Sequence, residues 1–342
     1  MQATLASRPV ISVVTPFYNT APHLAECIES VLKQSYSDFE YILVDNCSTD
    51  GSGEIAKSYA RYDSRIRFIQ CAQFVPQLRN YNRALQQISQ ASKYCKIVEA
   101  DNYILSDCLE LMVRAFEQSE TIGLVSSYTL KGNELLGSGY PYPMPFISGR
   151  EWARRYLPSA PYAFVFGSPT AVMYRSAVVR QHQPFYNELL LHADTEKCME
   201  ILEHWDFGFV HQVLSFLRTD NINESISSAR EKFRPLELDV YLIAQRYAPV
   251  FLEGNEAKDL KVKSKRTYYW ALAEEAIRLR GLAFWRYQEA GLKTLGEALD
   301  WPYLTLQIVL VLLWMASNPG RTAMRVLRFC KQRIMKDKRQ FS

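Results

Sequence analysis

The 342-residue chain is expected to be an α/β protein, with a mostly parallel sheet flanked by helices and a C-terminal α-helical extension. Three observations predict this. Short β-branched runs alternate with stretches whose apolar residues recur at helical spacing through roughly the first two-thirds of the sequence. Two of these runs, the one before Thr15 and the one ending at Val44, stop abruptly in small polar residues. In an open parallel sheet such strand ends form the ligand-binding edge. After about residue 228 Gly and Pro become scarce and charged helical patterning takes over, which divides the chain into 1–228 and 229–342.

The elements follow in order. Val10 to Val14 is short and β-branched, as a strand buried on both faces requires. Thr20 and Pro22 open a helix whose stripe is Leu24, Cys27, Ile28, Val31 and Leu32. Tyr41 to Val44 is a second strand, Ser48-Thr49-Asp50-Gly51 a turn and Ile55 to Tyr62 a helix. Ile66 to Ile69 is a third strand, Asn80 to Ile88 a helix, and Lys96 to Val98 a strand running into Glu99-Ala100-Asp101-Asn102. A helix over Asp107 to Phe116 and a strand over Ile122 to Tyr128 complete the alternation. From Lys131 to Pro169 Gly, Pro and aromatic residues dominate; Tyr140-Pro141-Tyr142-Pro143-Met144-Pro145 excludes a helix interior or a central strand. A long aromatic loop near the site is expected there. A strand at Ala171 to Tyr174, a helix at Asp194 to Leu202 and an aromatic strand at Phe207 to Leu217 follow.

Composition narrows the function. A hydrophobic content of 48% and an aromatic content of 13% describe a folded protein. The net charge of +4 gives no sign of general nucleic-acid binding. Seven scattered cysteines lack CxxC spacing, and with no secretory apolar segment at the N-terminus they are expected to be free thiols in a reducing cytoplasm.

The chemistry is concentrated at the strand ends. Glu99 and Asp101 are hard oxygen donors of the kind that hold a divalent cation against a diphosphate. Thr15-Pro16-Phe17-Tyr18-Asn19, then Ser30 to Tyr36 with Phe39-Glu40, then Val44-Asp45-Asn46 with Ser48 to Gly51, occur jointly and in order. Over about two-thirds of its length, Ile11 to Ser227, the chain resembles glycosyltransferase family 2, which has the GT-A, Rossmann-like nucleotide-diphospho-sugar transferase fold.

The resemblance implies an inverting glycosyltransferase that carries a sugar from a nucleotide diphosphate, with UDP favoured, to an acceptor hydroxyl in polysaccharide or glycoconjugate synthesis. Thr15, Pro16, Phe17, Tyr18 and Asn19 would line the base and ribose pocket, and Asp45 would accept from the base. A uracil N3–H needs such an acceptor. Asn46 stands where the family usually has a second Asp. Arg79, in Leu78-Arg79-Asn80, would approach the diphosphate at a helix start. Glu99-Ala100-Asp101 takes the place of the Asp-X-Asp motif, so Asp101 and Glu99 would hold Mn²⁺ or Mg²⁺ with Ala100 beside the nucleotide. Asp220 stands at the position of a metal- or diphosphate-contacting His. Asp194 matches the catalytic carboxylate that takes the acceptor proton. Each of these residues also has an ordinary alternative as a cap, turn or surface group. His211, on an aromatic strand, is expected to be a structural histidine. The departures at Glu99, Asn102 and Asp220 motivate a second reading, a catalytically degenerate sugar-nucleotide-binding or scaffolding protein.

The acceptor, whether saccharide, lipid-linked or protein, is not encoded in these motifs. Leu304 to Ala316 is too short to span a bilayer. Asn318 and Pro319 open a basic amphipathic segment carrying Arg321, Arg325, Arg328 and Lys336. Residues 304–342 could therefore meet an anionic membrane surface, placing the protein in the cytoplasm or peripherally at the inner face of the membrane. The alternative is a helical bundle with a solvated basic face.

Overall fold

The structure, a computed structural model, describes residues 10–158, 166–219 and 232–320. Ten strands form one sheet: β1 (Ile11–Phe17), β2 (Phe39–Asp45), β3 (Ile66–Gln70), β4 (Tyr94–Ile97), β5 (Tyr103–Ile104), β6 (Ile122–Lys131), β7 (Glu134–Leu136), β8 (Phe146–Ile147), β9 (Met173–Arg175) and β10 (Asp206–Leu217). Their spatial order is β3-β2-β1-β4-β9-β6-β10-β5, with β7 on β6 and β8 on β10. The half from β3 to β4 is parallel throughout, as the strand–helix alternation predicts. Beyond it β9 enters antiparallel between β4 and β6, and β6 and β10 return to parallel pairing. The sheet is thus more mixed than the alternation alone implies. A three-residue strand leaves no periodicity to read.

Side chains of the central strands alternate between two cores. On β2, Tyr41 and Leu43 face α1 (Ala21–Leu32), α2 (Ser52–Tyr62) and α4 (Cys108–Phe116). Ile42 and Val44 face the opposite core, which holds α3 (Gln77–Leu85), α6 (Ser176–Gln181) and α7 (Ala193–Leu202). Both faces are covered, which is why these strands read as unbroken apolar runs. The second core continues into α8 (Pro235–Phe251), α9 (Gly254–Ile277), α10 (Leu282–Lys293) and α11 (Trp301–Ser317). The C-terminal helices therefore share a core with the sheet. The sequence boundary near 228 falls outside the described residues.

Part of the segment expected as a loop is folded, as β7, β8 and α5 (Gly149–Tyr156). Its aromatic residues build core. Tyr140 stacks on Phe209 with centroids 4.6 Å apart, and Trp152 stacks on Phe207 at 5.4 Å. His211 is structural, as expected: its Nε2 lies 2.9 Å from the Met144 carbonyl and its Nδ1 3.3 Å from Tyr128 Oη. The six cysteines among the described residues are free thiols.

Candidate active site

The loops after β1 and β2 are laced together. Asn19 and Cys47 adopt left-handed backbone, with φ of 50° and 65°. The Asn19 N–H donates to Ser48 Oγ at 3.0 Å, and the Thr49 N–H donates to Asn19 Oδ1 at 2.8 Å. Asp50 Oδ2 accepts from the Ala21 N–H at 2.9 Å, satisfying a donor at the start of α1 that no helical carbonyl can reach. Ser48, Thr49 and Asp50 therefore fasten the two strand ends together.

Within this frame Thr15, Pro16 and Phe17 are buried. The Thr15 hydroxyl donates to the Val98 carbonyl at 2.8 Å and lies 3.0 Å from Tyr41 Oη, so it anchors the strand from inside the core. Tyr18 and Asn19 are the positions of this segment that reach the surface, and the Tyr18 ring meets Phe74 at 4.8 Å. Asn46 holds the backbone leading from β3 to α3: its Nδ2 donates to the Val75 carbonyl at 2.7 Å, and its Oδ1 accepts from the Val75 N–H at 3.0 Å. An Asp could accept there but could not donate. The amide at this position therefore suits a loop clamp.

Asp45 is 1% exposed. One oxygen accepts from the Ser48 N–H at 2.9 Å, while Oδ2 is buried with no hydrogen-bond partner. Gly53 makes room for it, since a Cβ there would lie 2.9 Å from that oxygen. A buried carboxylate oxygen left unsatisfied is costly, and such atoms mark places where a partner is missing.

The second half of the site lies where β4 meets α7. Glu99 accepts from Tyr81 Oη at 3.1 Å on one oxygen; the other accepts from Asn102 Nδ2 at 3.1 Å and Thr170 Oγ1 at 3.2 Å. The Glu99 N–H donates to the same threonine hydroxyl at 3.0 Å. Asn102 is nearly buried and its Oδ1 accepts from the Arg218 N–H at 3.1 Å. It thus donates on one side and accepts on the other, which an Asp could not do. Lys96, fully buried on β4, donates to the carbonyls of Thr170 and Val172 and fixes the turn that carries Thr170.

Asp101 follows in the same turn, and Asp194 stands in the first turn of α7, capped by His192 rather than being the cap itself. Asp194 Oδ1 accepts from the Thr195 N–H at 2.9 Å. Glu99 feels the other two carboxylates. Burial first, then the charges of Asp101 and Asp194, push Glu99 up to about 7. Burial also raises Asp194, an effect opposed chiefly by His192. His192 is itself held from α8: its Nδ1 lies 2.8 Å from Asp239 Oδ2, which also accepts from the His192 N–H at 2.8 Å. Ala100 is buried between the two acidic residues. Arg79, at the start of α3, pairs with Glu188 at 2.9 Å on the surface.

Asp220 lies outside the described residues. Among those described, no three His, Cys, Asp or Glu side chains form a metal site complete in itself. Sequence reasoning missed Tyr81, Thr170 and Asp239, which reach the acidic cluster only through the fold.

The raised Glu99 has a consequence for stability. The folded state binds its proton more tightly than the unfolded chain, so its contribution is fully present below the ordinary 4.5 and is lost as pH rises through about 7. Without added metal, melting temperature should fall across that window, and Glu99→Gln should flatten the fall. An identical slope in the variant would refute this assignment.

The comparisons with known proteins bear on this geometry. The model of the glycosyl transferase family 2, "Glycosyl transferase family 2", matches residues 12–182, half of the chain. The chain belongs to this family. Over 119 residues the family 2 chain is 32% identical to glycosyltransferase GlyG of Streptococcus pneumoniae, covering 35% of this chain and 39% of that one. It is 28% identical over 127 residues to the putative teichuronic acid biosynthesis glycosyltransferase TuaG of Bacillus subtilis, covering 37% and 50%. The matched segments thus span two-fifths to half the length of these relatives. Its fold is similar to that of S. aureus TarS 1–349, solved in complex with UDP-GlcNAc, with a TM-score of 0.58 at 19% identity over 82% of this chain and 79% of that one.

Proposed function

We propose that this family 2 chain is an inverting glycosyltransferase that moves a sugar from a UDP-sugar to an acceptor hydroxyl in polysaccharide or glycoconjugate synthesis. The observation that carries the reading is that Asp101 and Asp194 both lie near enough to the buried Glu99 for their charges to act on it, in a chain whose neighbouring strand end holds a buried, half-satisfied Asp45. Asp45 Oδ2 would accept from the uracil N3–H, with Tyr18, Asn19 and the Asn46-clamped loop around the nucleoside. Arg79 would exchange Glu188 for the diphosphate, a stronger bidentate partner.

Transfer then balances simply. The acceptor oxygen attacks the anomeric carbon from the face opposite the diphosphate, giving its proton to Asp194. The bond to the phosphate oxygen breaks, and its electron pair leaves with UDP. Mn²⁺ or Mg²⁺ would neutralise charge on the leaving diphosphate. The crowded carboxylates fit such a cation, which would relieve the repulsion that adds to the effect of burial on Glu99. Both Glu99 oxygens already accept hydrogen bonds, so Asp101 is the proposed ligand and Glu99 the group that positions its turn. The incomplete protein site fits a cation that shares its coordination with the donor phosphates. The part of Asp220 as a further ligand remains a proposal from the family pattern. The TuaG likeness supports a glycan acceptor, though a protein acceptor has the same hydroxyl chemistry.

Purified protein with UDP-sugars and Mn²⁺ should release UDP, slowly by hydrolysis and faster with acceptor. Tight binding with no release from any donor would leave the alternative, a sugar-nucleotide-binding or scaffolding protein, which the engagement of Glu99 favours. Asp45→Ala should weaken UDP binding about tenfold by calorimetry, the scale of one hydrogen bond to a charged group. Unchanged affinity would remove Asp45 from the base pocket.

A further inference from the structure

Helix α11 presents an apolar face to solvent. Leu304, Gln307 and Val311 are buried against the body, while Leu306, Val309, Leu310, Leu312 and Leu313 on the other side are 40–61% exposed. Residues 301–320 contain no charged side chain at all. At the N-terminal end Trp301, 54% exposed, lies beside Trp285 with ring centroids 5.9 Å apart. A contiguous exposed apolar strip of this kind marks an interaction surface.

The charge distribution says what it meets. Residues 321–342, which follow α11 directly, hold eight of the chain's 40 lysines and arginines and one of its 36 acidic residues. Residues 1–320 are consequently net negative, and the chain's excess positive charge lies in the sequence that follows the exposed leucines. Protein interfaces surround an apolar centre with a polar rim. Here the helix itself carries no charge, an indole pair and the Lys265–Asp300 ion pair sit at its N-terminal end, and the basic run follows it in sequence. That arrangement suits a helix lying in the plane of a bilayer, with apolar side chains among the acyl chains, tryptophans at headgroup level and basic residues on anionic headgroups. No described helix is long and apolar enough to cross a membrane.

We infer that the outer face of α11 docks on an anionic phospholipid surface, with the basic sequence after it supplying the electrostatic attraction. The inference is independent of the proposed sugar transfer. It is tested by flotation of the full chain with vesicles of pure phosphatidylcholine and of equal parts phosphatidylcholine and phosphatidylglycerol. The protein should float with the anionic vesicles only, and about 1 M salt should release much of it. Arg325→Gln and Arg328→Gln should each lower partitioning about fivefold. Joint replacement of Leu306, Leu310 and Leu313 by Gln should reduce it more than about tenfold. These leucines are solvent-facing, so unchanged circular dichroism and UDP binding should accompany the loss. Absence of flotation, or equal flotation with both vesicles, would overturn the inference. So would a lipid-free dimer that the leucine substitutions dissolve, because the face would then belong to a second copy of this chain.

Discussion

Asp194→Asn is expected to lower kcat for transfer by about 10³-fold, within the range that a positioned general base contributes. The affinity for UDP should stay within about twofold, because the proposed nucleoside pocket is built on Asp45 and Asn46. The residue is suited to the part by its place. It sits in the first turn of α7 rather than at the cap, so its carboxylate is not required to start the helix. Burial raises its pKa, giving a better base, while His192 limits that rise. Activity should therefore climb with pH along a limb lying above the ordinary carboxylate value of 3.8, as the base ionises. Asn keeps the shape and one acceptor oxygen for the Thr195 N–H but cannot take a proton. A variant with full turnover would show that the acceptor is deprotonated elsewhere.

Much of this arrangement was legible because it depends on local pattern. The first four parallel strands announce themselves through β-branched runs buried on both faces. Asp45, Asn46, Asp101 and Asp194 stand out because they interrupt apolar runs or open a helix. What escaped depends on contacts between distant parts of the chain. Thr15 reads as a pocket residue at a strand end, yet the fold turns its hydroxyl inward to Tyr41 and Val98. Glu99 reads as a metal ligand by position, but Tyr81, Asn102 and Thr170 converge on it from separate elements. Asp239 lies on a helix whose sequence gives no sign that it will reach His192. The aromatic stretch after Lys131 signalled a loop by its prolines, whereas its rings are held by stacking on β10. Short elements of this kind take their stability from tertiary packing rather than propensity.

Asp101→Ala is expected to remove metal-dependent donor binding and to abolish turnover. The argument rests on electrostatics. Glu99 sits where burial already disfavours charge, Asp101 and Asp194 both act on it, and Asp101 acts more strongly. Deleting it lowers the repulsion, so Glu99 should fall back toward the ordinary carboxylate range and the metal-free protein should become more stable above about pH 7. A merely structural Asp would give the reverse, a loss of stability. With Mn²⁺ present, the wild-type protein should bind the UDP-sugar more tightly than without it, whereas the variant should show one affinity under both conditions. UDP binding in the absence of metal should survive in both proteins through Asp45. Transfer at the wild-type rate by Asp101→Ala, or an undiminished effect of Mn²⁺ on its donor affinity, would place the cation away from the end of β4.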